Sequence, residues 1–395
     1  MLSADATHLN ILIGADSILA RRSGVGRMTI EIARAARMSD AISRVDLMMG
    51  GKIVPGAWLD TEPPLDPPPV RPIPWKIMVG RVPGVQALRR VKNGGLNRAV
   101  RGLARENGGQ TVYHEPNMIA QPIRLPTVVT INDLSWHYEP SWHPAERLRW
   151  IARNLPDTLR RARRFVAISQ FTKDAAVRDL GIGASLIDVV PLAPAQEFKP
   201  VTAADAAAVL ARYELADRRF VFSISTLEPR KNFDRLLTAF LMLPAGLRAM
   251  TPLVIAGGKG WGEVLARPEA ERAVRDGSVR LLGHIPDADL AVLCARAGVF
   301  AYVSLYEGFG LPVVEAMAAD TPIVASSTTA VGEIANGATL TVDPLDEAAI
   351  AHGLRTVLED ESLAERLRAA GRSRAAGFTW HRTVDALAES WRRAL

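Results

Sequence analysis

The sequence runs to 395 residues, 48% of them hydrophobic, with a formal net charge of +6 whose positive excess lies in the first half. That is more chain than one core organises, so two domains are expected, and the composition excludes a disordered polar chain. A single cysteine, Cys294, excludes a disulfide framework and points to a reducing compartment.

The first ten residues lack the basic-then-apolar layout of a signal peptide, and no run reaches the ~18–20 apolar residues of a membrane span. A cytoplasmic location is therefore expected. Leu9 to Gly14 reads as the first strand and Arg27 to Ala36 as a helix, joined by a loop containing Gly24-Val25-Gly26. Such a loop can cradle a phosphate or a sugar. It lacks the third glycine of a dinucleotide fingerprint and any Walker lysine, so neither of those motifs is satisfied. Residues 54–74 are proline-rich and read as an exposed loop.

From Arg71 to Arg105 come nine basic residues and no acid, interleaved with apolar ones such as Trp75, Ile77 and Val79. That mixture suits an anionic membrane surface, where each basic side chain is worth ~1 kcal/mol. It also suits a solvated helix face. No nucleic-acid module is recognisable beside it, and no nucleic-acid partner is expected. Strands then read at Thr111–Tyr113, Thr127–Ile131, Arg164–Ile168 and Leu186–Val190, mostly separated by helical stretches. Strand–helix alternation argues for a parallel sheet covered on both faces.

Pro191 to Val201 is an aperiodic, proline-punctuated connector, placed here as the domain boundary. Alternation restarts beyond it, with strands at 220–223, 252–255, 279–282, 299–303, 322–325 and 340–342, and helices at 233–241, 289–296 and 311–319. One amphipathic helix is expected over 347–370 and another over 380–395. Two doubly wound domains in tandem would line a cleft with the carboxyl ends of their strands.

Three stretches carry chemistry. In Glu307-Gly308-Phe309-Gly310-Leu311-Pro312-Val313-Val314-Glu315, two carboxylates bracket a strand-to-helix turn whose amides suit an anion or a polyol. A tight turn with two solvated glutamates explains the spacing equally well. Thr226-Leu227-Glu228-Pro229-Arg230-Lys231-Asn232 places adjacent cations at a helix start, a good diphosphate clamp. Ala256 to Gly262 is a glycine-rich turn after a buried strand. Asp287-Ala288-Asp289 has the spacing of a metal-binding pair but sits before a helix, where capping accounts for it.

In this order, with Leu282-Gly283-His284-Ile285-Pro286-Asp287, His114-Glu115-Pro116-Asn117, Asn132-Asp133-Leu134-Ser135 and Asp343-Pro344, the motifs resemble the retaining, nucleotide-sugar-dependent glycosyltransferases of glycosyltransferase family 4. The likeness covers essentially the whole chain. Leu227 to Asn232, and Asp133-Leu134-Ser135-Trp136 with Trp142-His143-Pro144, are most similar to mannosyltransferases of bacterial surface-polysaccharide assembly.

The resemblance implies an α/β, GT-B architecture of two Rossmann-like domains. An acceptor-binding domain would span residues 1–195 and a donor-binding domain 200–377, with a helix at 378–395 crossing back onto the first. It implies a nucleotide-sugar donor, a lipid-linked glycan or polysaccharide acceptor, and no metal or other cofactor. By position, Arg230, Lys231, Gly24 and Gly26 would hold the donor diphosphate, Glu315 the ribose, and Phe309, Gly310 and Leu311 the sugar. His284 and Ile285 would frame the base. His114, Glu307 and Asp133 would stand at the reacting centre. The sequence departs from the family in carrying Ile224-Ser225 where many members have Gly-Arg, which puts more of the phosphate binding on Arg230 and Lys231. A transferase with a soluble acceptor, or a catalytically silent sugar-nucleotide- or polysaccharide-binding protein, are the other readings.

Overall fold

The computed structural model describes residues 9–19, 24–61, 85–108, 110–216 and 219–395, with residues 85–95 described by backbone alone. Residues 71–84 of the basic block lie outside the described residues. Val85–Glu106 forms a helix.

The first domain is a seven-stranded sheet ordered β3-β2-β1-β4-β5-β6-β7: β1 Leu9–Gly14, β2 Ile42–Met49, β3 Lys52–Pro55, β4 Thr111–Glu115, β5 Thr127–Ile131, β6 Arg164–Ala167 and β7 Ile187–Val189. Every pairing is parallel except β2 with β3. The antiparallel edge corrects the start of the expected loop over 54–74, whose residues 62–74 lie outside the described residues. Lys52–Pro55 is a strand, and the Gly56–Asp60 turn that follows buries Leu59 in the core. Proline at the last position of an edge strand removes no ladder bond the sheet needs.

The second domain is a parallel six-stranded sheet ordered β10-β9-β8-β11-β12-β13: β8 Val221–Ile224, β9 Leu253–Ala256, β10 Val279–Gly283, β11 Val299–Tyr302, β12 Ile323–Ser326 and β13 Leu340–Val342. Its strands are short apolar runs because helices cover both faces. The single helix expected over 347–370 is two, Glu347–Glu359 and Glu361–Ala375. Asp360 ends the first in extended backbone and starts the second, its carboxylate accepting the Leu363 amide at 2.9 Å.

The last helix, Trp380–Ala394, leaves the second domain and packs on the first. Val384, Leu387, Ala388 and Trp391 join the core formed by β1 and helix Gly24–Arg37. Trp391 is fully buried there. The two domains thus form a GT-B-type α/β pair, with a cleft between the carboxyl edges of their sheets.

Candidate functional site

In each sheet the strand order reverses once, between β1 and β4 in the first and between β8 and β11 in the second. Loops leaving adjacent strands at such a point diverge and open a crevice. In the second domain the diverging loops are Ser225–Asn232, after β8, and Val303–Gly310, after β11. They carry the Arg230-Lys231 pair and Glu307. The crevice between domains holds about 480 Å³ and is lined from both sides, among others by Arg27, Asp133, Lys231, Glu307 and Glu315. That volume lies within the ~300–1,000 Å³ of small-molecule sites.

Glu307 is the hub. Its Oε1 accepts from Lys231 Nζ at 2.6 Å and from the Tyr302 hydroxyl at 2.9 Å, and its Oε2 lies 3.0 Å from an Arg230 nitrogen. Burial alone would push the Glu307 carboxyl up, but Lys231 and Arg230 outweigh it and hold it at about 2. A carboxylate so engaged is neither a base nor a free nucleophile. Burial and the neighbouring Arg230 lower the Lys231 ammonium from its ordinary value. Burial would do the same to Arg230, but Glu307, Glu228 and Asp133 hold its guanidinium above the usual range. Asp133 accepts from Ser135 at both the hydroxyl, 2.7 Å, and the amide, 3.0 Å. Burial opposes its charge, while Arg230 and those bonds keep it ionised.

Glu315, 1% exposed, sits in helix Leu311–Ala318 with one oxygen paired to Arg27 of the first domain and the other, Oε2, buried without a partner. Burial pushes its carboxyl up to about 7 in spite of Arg27. That is above its ordinary 4.5, so the folded chain keeps a proton that the unfolded chain has released. Stability therefore falls as pH rises from about 4.5 to 7. Urea titrations at pH 5 and pH 7.5 should show this fall in the wild type and a flatter dependence in Glu315→Gln. Equal slopes in both would contradict the assignment.

The structure separates the remaining expected residues. Gly24 lines the cavity, but Gly26 is buried behind it, because the helix starts at Gly24 rather than at Arg27. Phe309 lines the cavity at the backbone turn while its ring is buried against Phe378, centroids 5.8 Å apart. Gly310 takes a left-handed φ of 93° as the helix cap, and Leu311 opens the helix, leaving its amide without an intrahelical acceptor. His284 is exposed and Ile285 buried, both on the cavity wall.

His114 is not at the cavity. It is fully buried, its Nε2 2.8 Å from the Thr130 hydroxyl and its ring 5.6 Å from that of Trp391. Burial lowers it to about 3, so it stays neutral. The reason is strand parity: alternate residues of β4 face opposite sides, and His114 takes the side that the last helix covers. Its neighbour Glu115 accepts the amide of Asn117, 3.1 Å away, and Asn117 does line the cavity. The Asp287–Asp289 explanation also changes. Pro286 occupies the cap position, and Asp289 is bound by Arg212 and the Tyr213 hydroxyl at 2.6 and 2.7 Å. Asp287 lies 3.9 Å from Arg27.

Sequence reasoning missed Arg27, Tyr302 and Glu228. Arg27 had a signal, as the first cation after the glycine pair. Tyr302 and Glu228 had none, since a strand-end tyrosine and a loop glutamate are ordinary.

The cleft is bridged at several points. Tyr306 sits between Tyr138 and Phe171, ring centroids 5.3 and 5.4 Å away. Trp261 Nε1 donates to the Trp142 carbonyl at 2.5 Å, and Arg147 stacks over the same indole. Ser169 and Thr172 hydroxyls donate to the Gly308 carbonyl at 2.7 and 3.0 Å. The amides of Gln170 and Phe171 donate to the Glu333 carboxylate at 2.9 and 2.8 Å.

Comparison with known proteins agrees with this geometry. The family model "Glycosyltransferase Family 4" matches residues 22–193 and "Glycosyl transferases group 1" matches residues 211–374. O-antigen chain mannosyltransferase B of Escherichia coli is 37% identical over 270 residues, covering 68% of this chain and 71% of that protein. Among solved structures, sucrose-phosphate synthase from Thermosynechococcus elongatus is similar in fold, with a TM-score of 0.71 at 20% identity over 98% of each chain. HepE from Anabaena, in complex with UDP-glucose, gives a TM-score of 0.70 at 21% identity over 97% of this chain and 99% of that one. With one family model on each domain and a relative of this closeness, the chain belongs to glycosyltransferase family 4, with a group 1 glycosyl transferase domain as its second half.

Proposed function

We propose that this chain transfers a hexose with retention, taking mannose from GDP-mannose and passing it to a lipid-linked or polysaccharide acceptor during cell-surface polysaccharide assembly. The similarity to an O-antigen chain mannosyltransferase supports the sugar and the setting. The observation that carries the chemistry is the buried Arg230–Lys231–Glu307 cluster facing Glu315, whose second oxygen has no partner.

A vicinal diol of a ribose can donate to Glu315 Oε2. Arg230 and Lys231 can take the diphosphate, and the turn at Phe309, Gly310 and Leu311 the sugar hydroxyls. The bond from the sugar's anomeric carbon to the diphosphate oxygen breaks, and a bond from the acceptor oxygen to that carbon forms on the same face. The acceptor proton passes to the departing phosphate oxygen. The two cations supply the charge stabilisation otherwise asked of a metal, a term worth about 10²–10³ in rate per donor at comparable sites. Glu307 holds the cations in place, and Asp133, ionised on the acceptor side, orients the incoming hydroxyl.

The working place we assign is the cytoplasmic membrane face. No helix among the described residues is long and apolar enough to cross a membrane. Beside the cavity-lining Arg147, however, helix Ala145–Arg161 exposes Arg149, Trp150 and Arg153, and this basic, aromatic face adds to the Arg71–Arg105 block in support of an anionic lipid surface.

The test is a set of separate incubations with GDP-mannose, UDP-glucose, UDP-galactose, UDP-GlcNAc and dTDP-rhamnose, following thermal stability and slow donor hydrolysis. GDP-mannose should stabilise the wild type and leave Lys231→Ala and Glu315→Ala unshifted. A response to a different donor would replace the mannose assignment. Stabilisation without hydrolysis would favour a silent binding protein, and no response to any would point to an unusual donor or to a silent polysaccharide-binding protein.

A further inference from the structure

The reaction turn Glu307–Gly310 belongs to the second domain, yet part of its shape is imposed by the first. The Gly308 carbonyl takes hydrogen bonds from Ser169 and Thr172, at the start of helix Gln170–Leu180. On its other side Gly308 lies so close to the Asn132 carbonyl that a Cβ would overlap it. The same helix start is capped across the cleft by Glu333, one carboxylate oxygen to each of the Gln170 and Phe171 amides. Glu333 sits in the short helix Thr329–Ala335, whose first residue receives the Glu307 amide on its hydroxyl at 3.3 Å. A closed circuit results: the first-domain helix start touches Gly308 directly, and reaches Glu307 again through Glu333 and Thr329.

We propose that Glu333 is a positioning residue, a latch that couples closure of the two domains to the shape of the turn carrying Glu307. It touches no substrate. Its carboxylate is the second domain's anionic partner for the exposed amides of a helix N-terminus, an attraction that exists only while the domains are together. When they part, the two amides, the Gly308 carbonyl and the Asn132 contact lose their partners in one step, and the turn that follows Glu307 is then held from its own domain alone. The circuit explains why a surface glutamate far along the chain from the cation pair bears on that pair's geometry. This inference rests on the transferase reading for its activity readout but not for its structural one.

The experiment uses the full chain as wild type, Glu333→Ala and Glu333→Gln. Solution scattering measures the radius of gyration, calorimetry the affinity for GDP alone, and hydrolysis of GDP-mannose the turnover. Glu333→Ala should expand the molecule and lower turnover roughly three- to tenfold, the range expected from losing one carboxylate at a helix start. GDP affinity should stay within about twofold, because Arg230, Lys231 and Glu315 lie in the second domain and none of them touches Glu333. Glu333→Gln, which keeps one acceptor oxygen but turns an amide donor toward an amide donor, should fall between the two. Unchanged scattering in Glu333→Ala overturns the latch. Expansion with undiminished turnover overturns its coupling to the reaction turn. If GDP-mannose is not hydrolysed even by the wild type, the mannose-donor reading fails while scattering still decides the latch.

Discussion

Glu307→Gln should be the most damaging conservative substitution in the second domain. The change keeps the side chain's volume but leaves Lys231 and Arg230 buried against one another with their shared counter-ion gone. Removing one partner of a buried ion pair costs about 3–5 kcal/mol. Transfer should fall by about 10²–10³, since the cations no longer hold the geometry that meets the leaving group. Two further signs separate this from general damage. In the wild type the Glu307 carboxyl sits at about 2, below its ordinary 4.5, so its contribution is complete above pH 4.5 and lost as pH falls toward 2. Glu307→Gln should lack that acid limb. A nucleoside diphosphate should also raise the variant's melting temperature by more than the wild type's, because the ligand supplies the missing negative charge. Melts from pH 2.5 to 7, with and without GDP, check both signs, and an unchanged acid limb would show that Glu307 is not the titrating anchor.

Gly308→Ala should give the second large effect by a different route. The added Cβ would overlap the Asn132 carbonyl, which is backbone and cannot step aside. Because the collision lies between domains, the molecule relieves it by opening, with each core left intact. A displacement of about 1 Å at a reacting centre costs on the order of 10² in rate, and at least that loss is expected here. GDP binding, for which Arg230, Lys231 and Glu315 all lie in the second domain, should change by less than about threefold. Near wild-type turnover in Gly308→Ala would mean that the arrangement described is not the reacting one.

The sequence was most legible where burial is two-sided. Val299–Val303 is an unbroken apolar run, and Thr127–Ile131 is a β-branched one, because their strands are covered on both faces. Ile42–Met49 escaped, because Arg44 and Asp46 interrupt its pattern. In the structure these two pair with one another, and Asp46 is buried. The chemistry of the Arg230-Lys231 loop and of the two glutamates was visible as residue type and spacing. What spacing cannot give is which side of a strand a residue takes. His114 and Glu115 are adjacent and both buried, and only the position of the last helix decides that His114 packs against Trp391 and not at the cavity. Partners such as Glu333 are invisible for a related reason: their role is defined by a surface of the other domain, more than 160 residues away in the chain.

The helix Trp380–Ala394 has a consequence for how the molecule is made. Its Trp391 fills a place among side chains of β1 and helix Gly24–Arg37, which leave the ribosome long before it does. At ~5–20 residues per second, roughly 10–40 s separate synthesis of the first domain's last strand from arrival of the indole that seals it. During that interval the nascent first domain carries an apolar socket, with the unpaired edge of His114 on its floor. The second domain, whose sheet is complete by Val342, finishes before the first. Birth order and completion order are thus reversed, and a chaperone that recognises the open socket would meet this protein at the stage when only its second half is whole.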